Sequence, residues 1–207
     1  SKLFMPVGVI YSCLVNFAIF CALLPFVAPF PLKSDVQYPV FFVCTIIIII
    51  DLYRRNISLN KLELYFLFVV VLSLFYINPF VSYSYIIKKR VGLLFGFILF
   101  YVFRRYAYLL SAKTVIFAVF INLFGVLFQL ISPGTFKFIA EMFTRKIYNY
   151  SQSSGTRGVS GFSAEPGFLG AMSVIFILIS YHLYVNRKMK KKQFYLITII
   201  SIFMAFA

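Results

Sequence analysis

The residues best suited to chemistry stand together in one stretch, Arg157-Gly158-Val159-Ser160-Gly161-Phe162-Ser163-Ala164-Glu165-Pro166-Gly167. Arg157 offers a planar, permanently charged fork that matches phosphate or carboxylate. Gly158 and Gly161 let the backbone turn sharply and approach a ligand closely. Pro166 suits the first position of a helix, where its missing N–H costs nothing, and Glu165 then falls at the cap, beside the positive end of the helix dipole. Two readings stand level on these residues. One is a site for an anionic substrate; the other is an Arg–Glu pair that only ties the loop to the helix start. Lys88-Lys89-Arg90 is a second basic group, either a further anion contact or a set of side chains snorkelling at the end of a span. His182, the single histidine, lies beside Tyr181 and Tyr184 near a helix end, where a structural role is the usual one. Cys13, Cys21 and Cys44 all fall inside apolar segments without metal-ligand spacing. Nothing in the sequence asks for a metal or a cofactor.

The elements that must position these groups are set by composition. Of 207 residues, 62% are hydrophobic, 21% aromatic and 12% charged, against about 25% charged in a soluble domain. The apolar residues come in blocks long enough to cross a bilayer, roughly 20 in a helix. Spans are expected at about 4–30, 36–53, 62–81, 86–103, 114–132 and 166–185. A seventh begins near Phe194, and the sequence ends at Ala207 while still apolar. The expected fold is therefore all-α, a polytopic transmembrane helix bundle of six complete spans plus a truncated seventh. Residues 1–207 form one membrane domain, read as the N-terminal fragment of a longer protein.

The net charge of +15 comes from 20 Lys and Arg against five acids. The bases sit in short clusters between apolar blocks, so no continuous basic surface for nucleic acid can be drawn. Topology and anionic lipid headgroups are the reading instead. With the N-terminus in the cytoplasm, Lys2, Arg54, Arg55, Lys61, Arg104, Arg105, Lys113 and the RKMKKK run at 187–192 fall inside. Lys33, Lys88, Lys89, Arg90, Lys137, Arg145, Lys146 and Arg157 fall outside, a smaller but substantial group. Within the spans, Gly92 and Gly96 make a GxxxG packing pattern. Asn122 and Gln129, seven apart, share one helix face and are expected to hydrogen-bond between helices.

One connection is long, residues 133–165. Ser132-Pro133-Gly134 ends the fifth span. Phe136, Ile139, Phe143 and Ile147 then recur at helical spacing, with Lys137, Glu141 and Arg145 as a charge ladder on another face. This predicts an amphipathic helix lying on the membrane surface. A small polar tract from Asn149 to Thr156 follows as a hinge.

The RGVSGFSAEPGFLG stretch, in a large loop just before a span, resembles the Arg…Gly…Glu-Pro signature of Wzy-type O-antigen and capsule polymerases. The related O-antigen ligases have a similar loop, more often with Asn-Pro. The resemblance implies an inverting, metal-independent glycosyltransferase of the bacterial inner membrane, its long loop periplasmic. It would act on a glycan carried by undecaprenyl pyrophosphate, among membrane lipids and with a chain-length regulator as a partner. Arg157 and Lys88-Lys89-Arg90 would hold pyrophosphate or acidic sugar, Gly158 and Gly161 would shape the substrate site, and Glu165 would be the general base. Members of the family are longer, with more spans. A ligase, a lipid-linked oligosaccharide flippase or other transporter, and a non-catalytic sensor or structural subunit are the competing expectations.

Overall fold

The computed structural model describes residues 7–25, 27, 37–54, 57–75, 83–143, 159–163 and 166–206, apart from the side chains of 7, 74 and 83–89. Every element among them is helical: α1 Val7–Ala22, α2 Tyr38–Tyr53, α3 Lys61–Phe75, α4 Tyr83–Tyr106 with a 3-10 turn at Ala107–Leu109, α5 Ala112–Ile131, α6 Pro133–Phe143, α7 Pro166–Val185 and α8 Lys191–Phe206.

Among the described residues three stretches are long and apolar enough to cross a membrane: Arg90–Leu109, Ala112–Ile131 and Pro166–Val185, each of 20 residues. α1 and α2 are as apolar but shorter, 16 residues each, and α3 has 15. Of the six expected spans, three are helices of spanning length among the described residues, and α1 ends at Ala22 although the apolar block continues. After α1, Leu23-Leu24-Pro25 turn away while remaining apolar, and the amide of Gln37 donates to the carbonyls of Cys21 and Leu24 there. Large apolar side chains face outward on every long helix, for example Tyr65, Phe68, Leu72 and Phe75 on α3. Water would penalise such faces and hydrocarbon would not. This is the build of a membrane protein.

The chain forms two compact units. The first comprises residues 1–18 and 38–109, with α2 and α3 packed on α4. α2 turns one stripe inward, Val40, Val43, Cys44, Ile47 and Asp51, spaced as a single helix face. α3 starts with a reciprocal cap. The Glu63 backbone N–H donates to Asn60 Oδ1 (3.0 Å) and the Asn60 N–H donates to Glu63 Oε2 (2.8 Å).

The second unit comprises 19–37 and 110–207. α5 is started by Ser111, whose hydroxyl accepts from the Thr114 N–H (3.2 Å). Its inward face carries Val115, Ala118, Val119, Asn122, Gly125, Val126 and Gln129. α6 begins at Pro133 without an intervening loop and lays Phe136 and Ala140, one turn apart, against α5. Lys137 and Glu141 stay exposed. The expected amphipathic helix is present from Pro133 to Phe143; Arg145 and Ile147 lie outside the described residues. α7 and α8 form a tight helical hairpin and both pack on α5.

Candidate functional site

Of the sequence-predicted site residues, Arg157, Gly158 and Glu165 lie outside the described residues, as do the side chains of Lys88 and Lys89 on α4. Arg90 is half-buried on α4, in the first unit. Gly161 belongs to the second unit and is fully described. It takes a left-handed backbone, φ +54°, the region that favours glycine.

The middle of the motif is bolted to α5. Gln129 Oε1 accepts the backbone N–H of Gly161 (2.8 Å) and of Ser160 (3.1 Å), with the Ser160 hydroxyl at 3.4 Å. A β-carbon on Gly161 would stand 3.1 Å from Val126 Cγ2. The close approach that Gly161 permits is thus to α5, and the loop's two neighbouring N–H donors are both used by Gln129. The Phe162 ring covers Gly125 so closely that a β-carbon there would lie 2.5 Å from the ring. The same ring packs on Phe136 of α6, centroids 5.4 Å apart. Residues 159–163 are therefore clamped from two helices, and α7 starts at Pro166 as its sequence predicts.

Gln129→Leu keeps this packing volume but removes the acceptor, leaving two buried N–H groups unpaired. Each costs about 1–3 kcal/mol. The expected outcome is faster amide exchange at Ser160 and Gly161, while Gln129→Glu, which keeps an acceptor oxygen, stays slow; equal exchange in wild type and Gln129→Leu would mean the clamp does not hold the loop.

Asn122, on the same face as Gln129, also serves the backbone. It donates to Ala118 O (3.0 Å) and Leu23 O (3.4 Å). In the first unit Asn16 donates to Leu109 O at 2.9 Å. His182 pairs with Asn186 one turn on, 3.1 Å between side chains.

A constellation with no local sequence signal occupies the first unit. Asp51, fully buried in the last turn of α2, accepts from the phenols of Tyr106 (2.6 Å) and Tyr11 (2.8 Å) through Oδ1. Tyr101 lies 3.5 Å from Oδ2 and itself accepts from Arg105 Nη1 at 2.7 Å. Arg105 also reaches Ser58 O at 3.4 Å, and Arg104 pairs with the buried Glu63 at 3.6 Å. The carboxylate thus joins α1, α2 and α4. Buried and hydrogen-bonded on both oxygens, it is a clasp rather than an open reaction centre. Among the described residues no group of three or more His, Cys, Asp and Glu side chains could hold a metal ion.

Fold and site together define an all-helical protein with membrane-crossing helices and a loop clamped against one of them. No family model, no curated protein and no solved structure matches the chain.

Proposed function

We propose that the protein polymerises undecaprenyl-pyrophosphate-linked oligosaccharide repeat units at the periplasmic face of the bacterial inner membrane, with its N-terminus in the cytoplasm. The observation that carries this reading is the Arg157…Gly161…Glu165-Pro166 stretch between two apolar helices. The acceptor hydroxyl attacks the anomeric carbon of the donor, its proton passes to Glu165, and the bond to the pyrophosphate oxygen breaks with inversion. Charge that builds on the leaving pyrophosphate is met by Arg157. The clamp on Ser160, Gly161 and Phe162 supports the reading, because a site of this kind needs its loop preorganised.

The finer architecture belongs to the same proposal: six spans, a seventh in α8, and α6 along the surface. A helix of 16 residues is about 24 Å long, against roughly 30 Å of hydrocarbon. Flanking residues and local thinning would cover the difference.

A second reading, a lipid-linked oligosaccharide flippase or other transporter, draws on Asp51, since buried charges are frequent in transport paths. An O-antigen ligase shares the first chemistry with a different acceptor. Deleting the gene in the native cell separates the three. Loss of a polymerase leaves surface glycan one repeat unit long. Loss of a ligase leaves long polymer on the lipid carrier and none on the surface. Loss of a flippase leaves single lipid-linked units on the cytoplasmic side. Surface polymer of unchanged length and amount would overturn the proposal.

A further inference from the structure

The α7–α8 turn is unusual in where it places charge. Five bases crowd the stretch Arg187-Lys188-Met189-Lys190-Lys191-Lys192, and all five are exposed while Met189 is buried. From Pro166 to Ala207 the sequence has no Asp or Glu. Arg187 adopts φ +57°, and its N–H donates to Tyr184 O (3.0 Å) while that of Lys188 donates to Leu183 O (2.8 Å). This is a helix stop whose left-handed position glycine usually fills. Lys191 and Lys192 open α8, the end of a helix dipole that disfavours cations. Local physics thus opposes these side chains at several points, and such conflicts mark places where something outside the fold compensates.

Directly beneath the bases lies a layer of rings. Phe194 stacks on Tyr184, centroids 5.3 Å apart and 13° between planes, and meets Tyr181 at 6.2 Å. The Lys191 ammonium sits 5.6 Å from the centre of the Tyr195 ring. Aromatic rings below a tier of cations match the layering of a membrane interface, where rings sit at headgroup depth and bases reach the phosphates.

We infer that the turn between α7 and α8 is a binding surface for the phosphate headgroups of anionic phospholipid, with Arg187 and Lys190–Lys192 as the charge and the Tyr181, Tyr184, Phe194 and Tyr195 rings setting its depth. It is independent of any glycan chemistry. The occupant is a lipid rather than a free phosphate, because the rings fix the bases at the level where headgroups lie.

The test uses the purified protein in nonionic detergent with equal amounts of phosphatidylglycerol and phosphatidylcholine, reading the lipid retained on each protein by native mass spectrometry. Phosphatidylglycerol is expected to be retained preferentially, and less so as salt rises. Each base near an anionic surface strengthens association roughly fivefold, so Lys190→Gln with Lys192→Gln is expected to weaken retention roughly 25-fold. Lys61→Gln with Lys113→Gln, exposed bases elsewhere, is expected to leave it unchanged. Equal retention of the two lipids, indifference to the Lys190/Lys192 pair, or displacement of the lipid by an equal concentration of inorganic phosphate would each overturn the inference. If the double variant aggregates, the salt series on the unaltered protein decides, and a flat response overturns it.

Discussion

Changing Asp51 to alanine is expected to destabilise the first unit by about 3–5 kcal/mol and to lower the amount of folded protein in the membrane several-fold. The carboxylate is fully buried and takes two short phenol hydrogen bonds, from Tyr106 and Tyr11. Hydrogen bonds to a charged group contribute about 1.5–3 kcal/mol each. Alanine removes both and strands the hydroxyls of Tyr11 and Tyr106, with Tyr101 beside them, in apolar surroundings. Asp51→Asn keeps the shape and an oxygen for the Tyr11 and Tyr106 phenols, and places its NH2 only toward Tyr101, so it should cost much less than alanine. Tyr11→Phe and Tyr106→Phe should each show about half the alanine effect. The pattern that identifies a shared network is non-additivity: once Asp51 is alanine, Tyr106→Phe should add little. Thermal unfolding in detergent measures all of these. Melting of Asp51→Ala within 2 °C of wild type, the scale of a few tenths of a kcal/mol, would show that the cluster does not hold the unit together.

The second large effect concerns chemistry. Arg157→Ala and Glu165→Gln are each expected to reduce polymer formation about 10²–10⁴-fold with the protein present at normal level. Their causes differ, and so should their rescue. Arg157→Lys retains a charge but loses the fork, so it should recover part of the activity. Glu165→Asp keeps a carboxylate one bond shorter and should recover some turnover, most visibly at higher pH if proton removal limits the rate. Normal ladders from both Arg157→Ala and Glu165→Gln would remove these residues from the mechanism, and the polymerase reading would lose the observation on which it rests.

What could be read from the sequence depended on how far apart the interacting residues are. The start of α7 at Pro166 follows from a proline that fits a first helical position, whereas Pro133, expected only to end the fifth span, also opens α6. The shared face of Asn122 and Gln129 follows from a spacing of seven, although both turned out to serve backbone groups rather than another helix's side chains. Span lengths were less legible, because hydropathy continues past Ala22 where the helix does not. Close packing was assigned to Gly92 and Gly96. A β-carbon at Gly96 would indeed lie 3.7 Å from Phe66 of α3, but one at Gly92 would meet nothing within 4 Å among the described residues, whereas Gly125, in no recognised pattern, lies under Phe162. Asp51 carries no local signal in the sequence. Its partners are 40, 50 and 55 positions away, and no periodicity within one helix reports a contact of that range.

That separation has a consequence for biogenesis. When α2 leaves the ribosome, Tyr11 already exists, but Tyr106 is 55 residues from being made. At about 5–20 residues per second, Asp51 waits roughly 3–11 s for its second phenol. During that interval the nascent helix carries a carboxylate that hydrocarbon will not accept alone. If α2 is one of the spans proposed above, its entry into the bilayer is tied to the arrival of α4, and the insertion machinery must shelter it until the later helix emerges.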